Sequence, residues 1–163
     1  PGAREALLAL TGTATWVVTN SHTEPVQEKI RRLGETSDGT SALEWLVERV
    51  RGRAQKYRLD DDFDEVPESM SLPGLDRPVY LRRRLYHDVL AELLETVGAD
   101  WSDLVVVGDI FELDLVLPLA RGARVGLIPN PFTPAYELAF LEGHERGALL
   151  KSVTEIPGFA ALE

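Results

Sequence analysis

The 163-residue chain contains no cysteine. That excludes a disulfide scaffold, a thiolate zinc site and a cysteine nucleophile. Basic residues are scarce, with Lys plus Arg totalling 17 against 27 Asp plus Glu for a formal net charge of -10. Such a surface repels phosphate backbones and anionic bilayers, so neither a general nucleic-acid binder nor a membrane binder is expected. Long apolar runs are missing too. Stretches such as Leu104–Val107 are far too short to span a bilayer. No charged-then-apolar leader opens the chain, which points to the cytoplasm. There is no Gly-x-Gly-x-x-Gly and no other glycine-rich phosphate loop, which argues against a nucleotide-binding or phosphoacceptor domain of that kind. Finally, there is no initiator Met. Pro1-Gly2-Ala3-Arg4 runs straight into an apolar face of Ala6, Leu7 and Leu10, and the chain reads as the inside of a longer protein.

What is present suits one ordinary domain, since 44% hydrophobic content over this length is enough for a real core. Residues 3–10 predict a short helix and Ala14–Val18 a strand ending in Thr19-Asn20-Ser21-His22. Val26, Ile30 and Leu33 predict a helix over 24–33, stopped by Gly34. Ser41 with Glu44 reads as a capping box opening a helix whose inner face is Leu43, Leu46, Val47, Val50 and Ala54. The acidic run from Leu59 to Glu65 and the Pro/Ser/Gly-rich stretch to Pro78 read as loop, so 35–78 is expected as an elaboration or cap on the core. An α/β rhythm then resumes. Helices are expected at 79–97, 111–121 and 134–146, and strands at 104–107, 124–128 and 149–153, with a terminal turn at 156–162. Strands alternating with helices imply a Rossmann-like three-layer α/β fold, a parallel sheet with helices on both faces, spanning 1–163 as one core. Leu104-Val105-Val106-Val107 reads as a parallel strand buried on both faces.

Ligands of open parallel sheets bind beyond the carboxyl ends of the strands. Here those positions hold Thr19 and Asn20, then Asp109 with Glu112 and Asp114 close behind, then Pro129 and Asn130. Gly108 permits a tight exit from its strand, and two carboxylates spaced as Asp109 and Asp114 suit an Mg²⁺ ion that keeps several waters and bridges to a substrate phosphate. An N-cap and a first-turn acid would have the same spacing. Thr19, Asn20 and Ser21 combine a hydroxyl with backbone N–H groups ahead of a helix, which suits a phosphate and equally suits an ordinary cap. His22 adjoins these residues, and His87 and His144 share no metal-ligand spacing with it.

In combination, Val17-Val18-Thr19-Asn20-Ser21 followed by Gly108-Asp109-x-x-x-x-Asp114 resembles the haloacid dehalogenase-like (HAD) superfamily over about residues 1–34 and 79–153. The resemblance implies that Thr19 is the family's second motif and that Asp109 and Asp114 form its fourth, holding Mg²⁺. It also implies a third-motif Lys. Counting back from Asp109 puts Arg84 of Arg82-Arg83-Arg84 at that position, while Lys29, Lys56 and Lys151 do not fit the count. An Arg is bulkier and forked, so the exchange is not conservative, and a solvated helix face is the competing reading of the trio. The first motif, Asp-x-Asp after an apolar strand, is absent ahead of Thr19. Asp62-Phe63-Asp64 follows other acids instead of a strand.

The resemblance therefore implies an Mg²⁺-dependent phosphatase acting on a small phosphorylated substrate through an aspartyl-phosphate whose nucleophile lies upstream. Thr19 and Arg84 would act in catalysis, and Asn20 and Ser21 in substrate binding. The alternative is a non-catalytic relative, a binding or interaction module that has lost the nucleophile strand.

Overall fold

The computed structural model describes residues 2–162. They form a mixed α/β protein with parallel sheets and interleaved helices, and they divide into two compact units. The first holds the residues up to Gln55 and those from Val153 onward, and the second holds Lys56–Ser152. The segment 35–78 is thus shared between them.

In the first unit, helix α1 (Ala3–Ala9) buries Ala6 and packs against the Val153–Glu155 turn and the closing helix Ile156–Ala160. Strand β1 (Val17–Val18) leads through His22 into α2 (Thr23–Gly34). A short helix α3 (Glu44–Val47) follows, then strand β2 (Val50–Arg51), which pairs parallel to β1 with Val17 opposite Val50. Ile30, Leu43, Leu46, Val47 and Val50 form the core, with Leu7, Leu8, Val17, Val26 and Trp45 packed on it.

The long helix expected from Ser41 to Ala54 does not form. Its apolar residues are buried as expected, but the helix ends at Val47 and Val50 joins a strand. A helical ladder past Val47 would forfeit the cross-strand bonds that Val17 N–H gives to Arg49 O (3.0 Å) and Thr19 N–H gives to Arg51 O (2.9 Å). β-Branched Val50 suits that alternative. The capping box is missing too. Ser41 Oγ accepts from Leu43 N–H at 3.3 Å, and Glu44 pairs with Arg31.

In the second unit, an antiparallel pair, β3 (Ser69–Met70) with β4 (Val79–Tyr80), precedes helix α4 (Arg84–Val97). The helix expected from Val79 therefore begins five residues later, and Gly98 closes it in the left-handed conformation. Strand β5 (Val105–Gly108) runs into a π-helical turn, Phe111–Leu115, continued by α5 (Val116–Ala120). Strand β6 (Arg124–Leu127), α6 (Ala135–Glu142) and β7 (Gly147–Leu149) complete two parallel crossovers in the order β5-β6-β7. Central β6 buries Val125, Gly126 and Leu127. The three valines of β5 are only half-buried, contrary to the expectation of burial on both faces. Among the described strands β5 pairs with β6 alone, so it is an edge.

No described helix is long and apolar enough to cross a membrane.

Candidate functional site

The acidic loop after β5 is shaped by a contact that only glycine permits. A Cβ on Gly108 would lie 2.5 Å from Asp114 Cβ and 2.6 Å from its Oδ2. Asp114 can therefore fold back over the strand end, and the π turn that carries it adds a residue to the helical register there. Asp114 Oδ2 accepts from Ile110 N–H at 3.1 Å. Its Oδ1 takes a hydrogen bond from Lys56 Nζ at 2.8 Å, with the two side chains only 14% and 10% exposed.

Further contacts hold this ion pair. Tyr86 Oη donates to the Asp114 carbonyl at 2.8 Å, and Lys56 Nζ sits 5.1 Å from the Tyr86 ring centroid. Burial, reinforced by the Asp114 charge, pushes the Tyr86 phenol up, so it stays a protonated donor. Buried Arg83 donates from Nη1 to the Lys56 carbonyl at 2.6 Å. Burial draws its guanidinium down, with Glu112 opposing.

The three acids of the loop have different partners. Glu112 is clamped by Arg77 through two bonds, 2.6 Å from Nη2 and 3.2 Å from Nη1. Asp114 belongs to Lys56. Asp109, exposed at the tip of β5, makes no hydrogen bond or ion pair among the described residues. Beside it, Ile128 N–H donates to Gly108 O at 2.9 Å, so the loop after β6 leaves from the adjacent position on the same rim. Its Asn130-Pro131-Phe132-Thr133 turn is pinned by Phe132 N–H to Asn130 Oδ1 (2.8 Å) and Asn130 N–H to Thr133 Oγ1 (2.9 Å). Behind it, Glu137 on α6 is buried, and its carboxyl is raised first by burial and then by Glu112, against the pull of Arg77.

Thr19, Asn20 and Ser21 form a second constellation, in the first unit. Thr19 is fixed through its backbone, giving N–H to Arg51 O and accepting from Ala54 N–H at 2.9 Å each. Its Oγ1 accepts from Ser21 N–H at 3.2 Å, which leaves the hydroxyl proton available. The turn after β2 wedges against it. A Cβ on Gly52 would come within 2.5 Å of Thr23 Oγ1, and Arg53 N–H donates to Ser21 O at 2.8 Å.

Arg84, the residue picked by counting for the third-motif position, pairs through Nε with Asp60 Oδ2 at 2.5 Å and lies over the Phe63 ring. The Arg84 hydrogen bond holds the Asp60 carboxyl below the usual range. Arg82 donates to Asp61 O at 2.8 Å. The trio is therefore no solvated helix face; it ties down the acidic turn and the Lys56 backbone. The cation paired with Asp114 is Lys56, which the count back from Asp109 passes over. Nothing local in the sequence singles it out, because it meets Asp114 across 58 positions. Asp62 and Asp64 are exposed, and neither stands at the end of a described strand.

An Mg²⁺ ion fits these residues in one respect only. Asp114 has both oxygens engaged, one by an ammonium that repels a second cation, so direct ligation would be left to Asp109 alone. Among the described residues no group of three or more His, Cys, Asp or Glu is assembled as a metal cage. One carboxylate is compatible with Mg²⁺, which keeps waters and shares substrate phosphate oxygens. An open cavity of about 590 Å³ lies at the far end of α2 from Thr23, where Arg31 and Arg32 are already paired with Glu44 and Glu28.

No protein-family model matches the chain, and no curated protein matches it. Among solved structures it is similar to a p-nitrophenyl phosphatase from Archaeoglobus fulgidus, at 17% identity over 96% of this chain and 73% of that one, with a TM-score of 0.34.

Proposed function

We propose that this chain carries the phosphoryl-binding part of a HAD-like phosphatase acting on a small phosphorylated substrate. The observation that supports it best is the shielded Lys56–Asp114 pair in the same loop as an unpaired Asp109 at the exit of a parallel strand. A buried ion pair is a costly way to gain stability alone, and breaking one leaves an uncompensated charge. Beside a free carboxylate it has a use. Lys56 fixes the loop and neutralises Asp114, so one fewer negative charge opposes a phosphate dianion at the rim.

In this reading Thr19 donates its hydroxyl proton to a phosphoryl oxygen, and the Asn20–Ser21 backbone orients the same group. Lys56 takes the role that the count assigned to Arg84. Asp109 would hold Mg²⁺, which supplies charge neutralisation at the phosphoryl group when bound. The attacking carboxylate would come from residues outside these 163. It would displace the substrate's ester oxygen from phosphorus to give an aspartyl-phosphate, and water would then cleave that bond and release the phosphate. The open edge of β5 suits the strand that would bring it.

The second reading, a binding module without turnover, is favoured by the lack of an Asp-x-Asp at any described strand tip. Hydrolysis of p-nitrophenyl phosphate by this chain, and by the protein including whatever is encoded ahead of Pro1, separates the two. We expect Mg²⁺-dependent turnover in the longer protein that Asp109→Asn abolishes. Full activity of that variant, or of the wild type in excess EDTA, refutes the phosphatase reading.

A further inference from the structure

We infer that Arg53 and His22 form an oxyanion-recognition pair beside Thr19, a site for a phosphate-class group on the rim of the β1–β2 sheet. The inference rests on the phosphoryl reading above and extends it to residues outside the motifs. Arg53 Nη2 lies 2.8 Å from His22 Nδ1. A guanidinium only donates, so Nδ1 is the acceptor in this contact and Nε2 is left as an outward donor. Both side chains are exposed. In a chain with ten more acidic than basic residues, Arg53 makes no ion pair among the described residues. Arg31, Arg32, Arg77, Arg84, Arg121 and Arg146 each meet a carboxylate.

The backbone at this point is also unusual. Arg53 (φ 54°) and Gln55 (φ 46°) are non-glycine residues in the left-handed region. The bonds from Arg53 N–H to Ser21 O and from Ala54 N–H to Thr19 O hold this strained turn. Strain of this kind persists where the surroundings over-determine it, and it concentrates at ligand clamps. Its effect here is to anchor Arg53 to the turn that carries Thr19. With one Nη bound to His22, the rest of the guanidinium fork is free for the planar, two-point recognition of an oxyanion.

The test titrates inorganic phosphate into the chain by calorimetry, and by NMR on the His22 ring. Arg53→Asn is the main variant, because asparagine tolerates the left-handed backbone and removes only the guanidinium. Arg53→Asn should weaken phosphate binding by about tenfold or more, the usual loss for a charge-assisted hydrogen bond. Arg58→Asn, another exposed arginine, should bind as the wild type does, and phosphate should shift the wild-type His22 resonances. Equal affinity in Arg53→Asn, unmoved His22 resonances, or no millimolar binding by the wild type overturns the pair. Arg53-dependent binding without turnover in the longer protein overturns the phosphatase reading and leaves the pair standing. Turnover with Arg53-independent binding does the reverse.

Discussion

Gly108 and Asp114 are packed so closely that no side chain fits between them. A Cβ at 108 would sit 2.5 Å from Asp114 Cβ and 2.8 Å from its Cγ. Glycine at the end of β5 is thus a steric requirement of the acid that folds back over it. Gly108→Ala should force Asp114 off its bonds to Lys56 and Ile110 and cost about 1–3 kcal/mol, as overpacking does. Urea denaturation followed by circular dichroism measures this. An unchanged midpoint would mean that the loop relaxes freely.

Lys56→Met should be more damaging than its size suggests. It leaves Asp114 buried without its cation, and one-sided removal of such a partner costs roughly 3–5 kcal/mol. The double variant Lys56→Met/Asp114→Asn should regain much of that. If the single variant unfolds at the wild-type midpoint, the pair is not shielded as described.

Arg84 and Lys56 can be separated by activity in the longer protein. Lys56→Met should reduce turnover of p-nitrophenyl phosphate by about two orders of magnitude or more, the scale of losing one transition-state charge contact. Arg84→Met should mainly release Asp60, whose carboxyl should return toward its ordinary value in an NMR titration. The opposite ranking would restore Arg84 to the third-motif role.

Glu137→Gln should stabilise the protein at neutral pH. Burial, and then Glu112, raise the Glu137 carboxyl above its ordinary 4.5. Below that value it is protonated whether folded or unfolded and carries no penalty. As pH rises from there through the raised folded value, the unfolded chain ionises more readily, and stability falls. The gain from Gln should therefore appear in thermal melts at pH 7 and vanish near pH 4. An equal gain at both values would point to packing alone.

Asp38 works with the opposite sign. Hydrogen bonds from the Thr36 hydroxyl, and then from the Thr40 hydroxyl and N–H, hold its carboxyl at about 2. Its contribution is present above the unfolded value of 3.8 and is lost as pH falls toward about 2. Thr36→Val should move the Asp38 midpoint up in a carboxyl NMR titration, while Ser37→Ala should not.

Local pattern was enough to reveal the α/β alternation, because β-branched runs such as Val105–Val107 and amphipathic stretches such as 84–97 encode their periods directly. It also placed Thr19 and Asp109 just beyond strand ends, where β1 and β5 have them. Pattern failed between Ser41 and Ala54. There a buried apolar face reads the same for a helix as for a short helix followed by a strand, and only the pairing of Val50 with Val17 decides. It failed again at Lys56. That residue meets Asp114 across 58 positions of sequence, and spacing carries no information over such a distance. Composition and periodicity thus determined the class of fold and the strand tips worth examining. Which cation neutralises which acid, and which acid stays free, was decided by tertiary packing, because buried charges must find partners in space whatever their order along the chain.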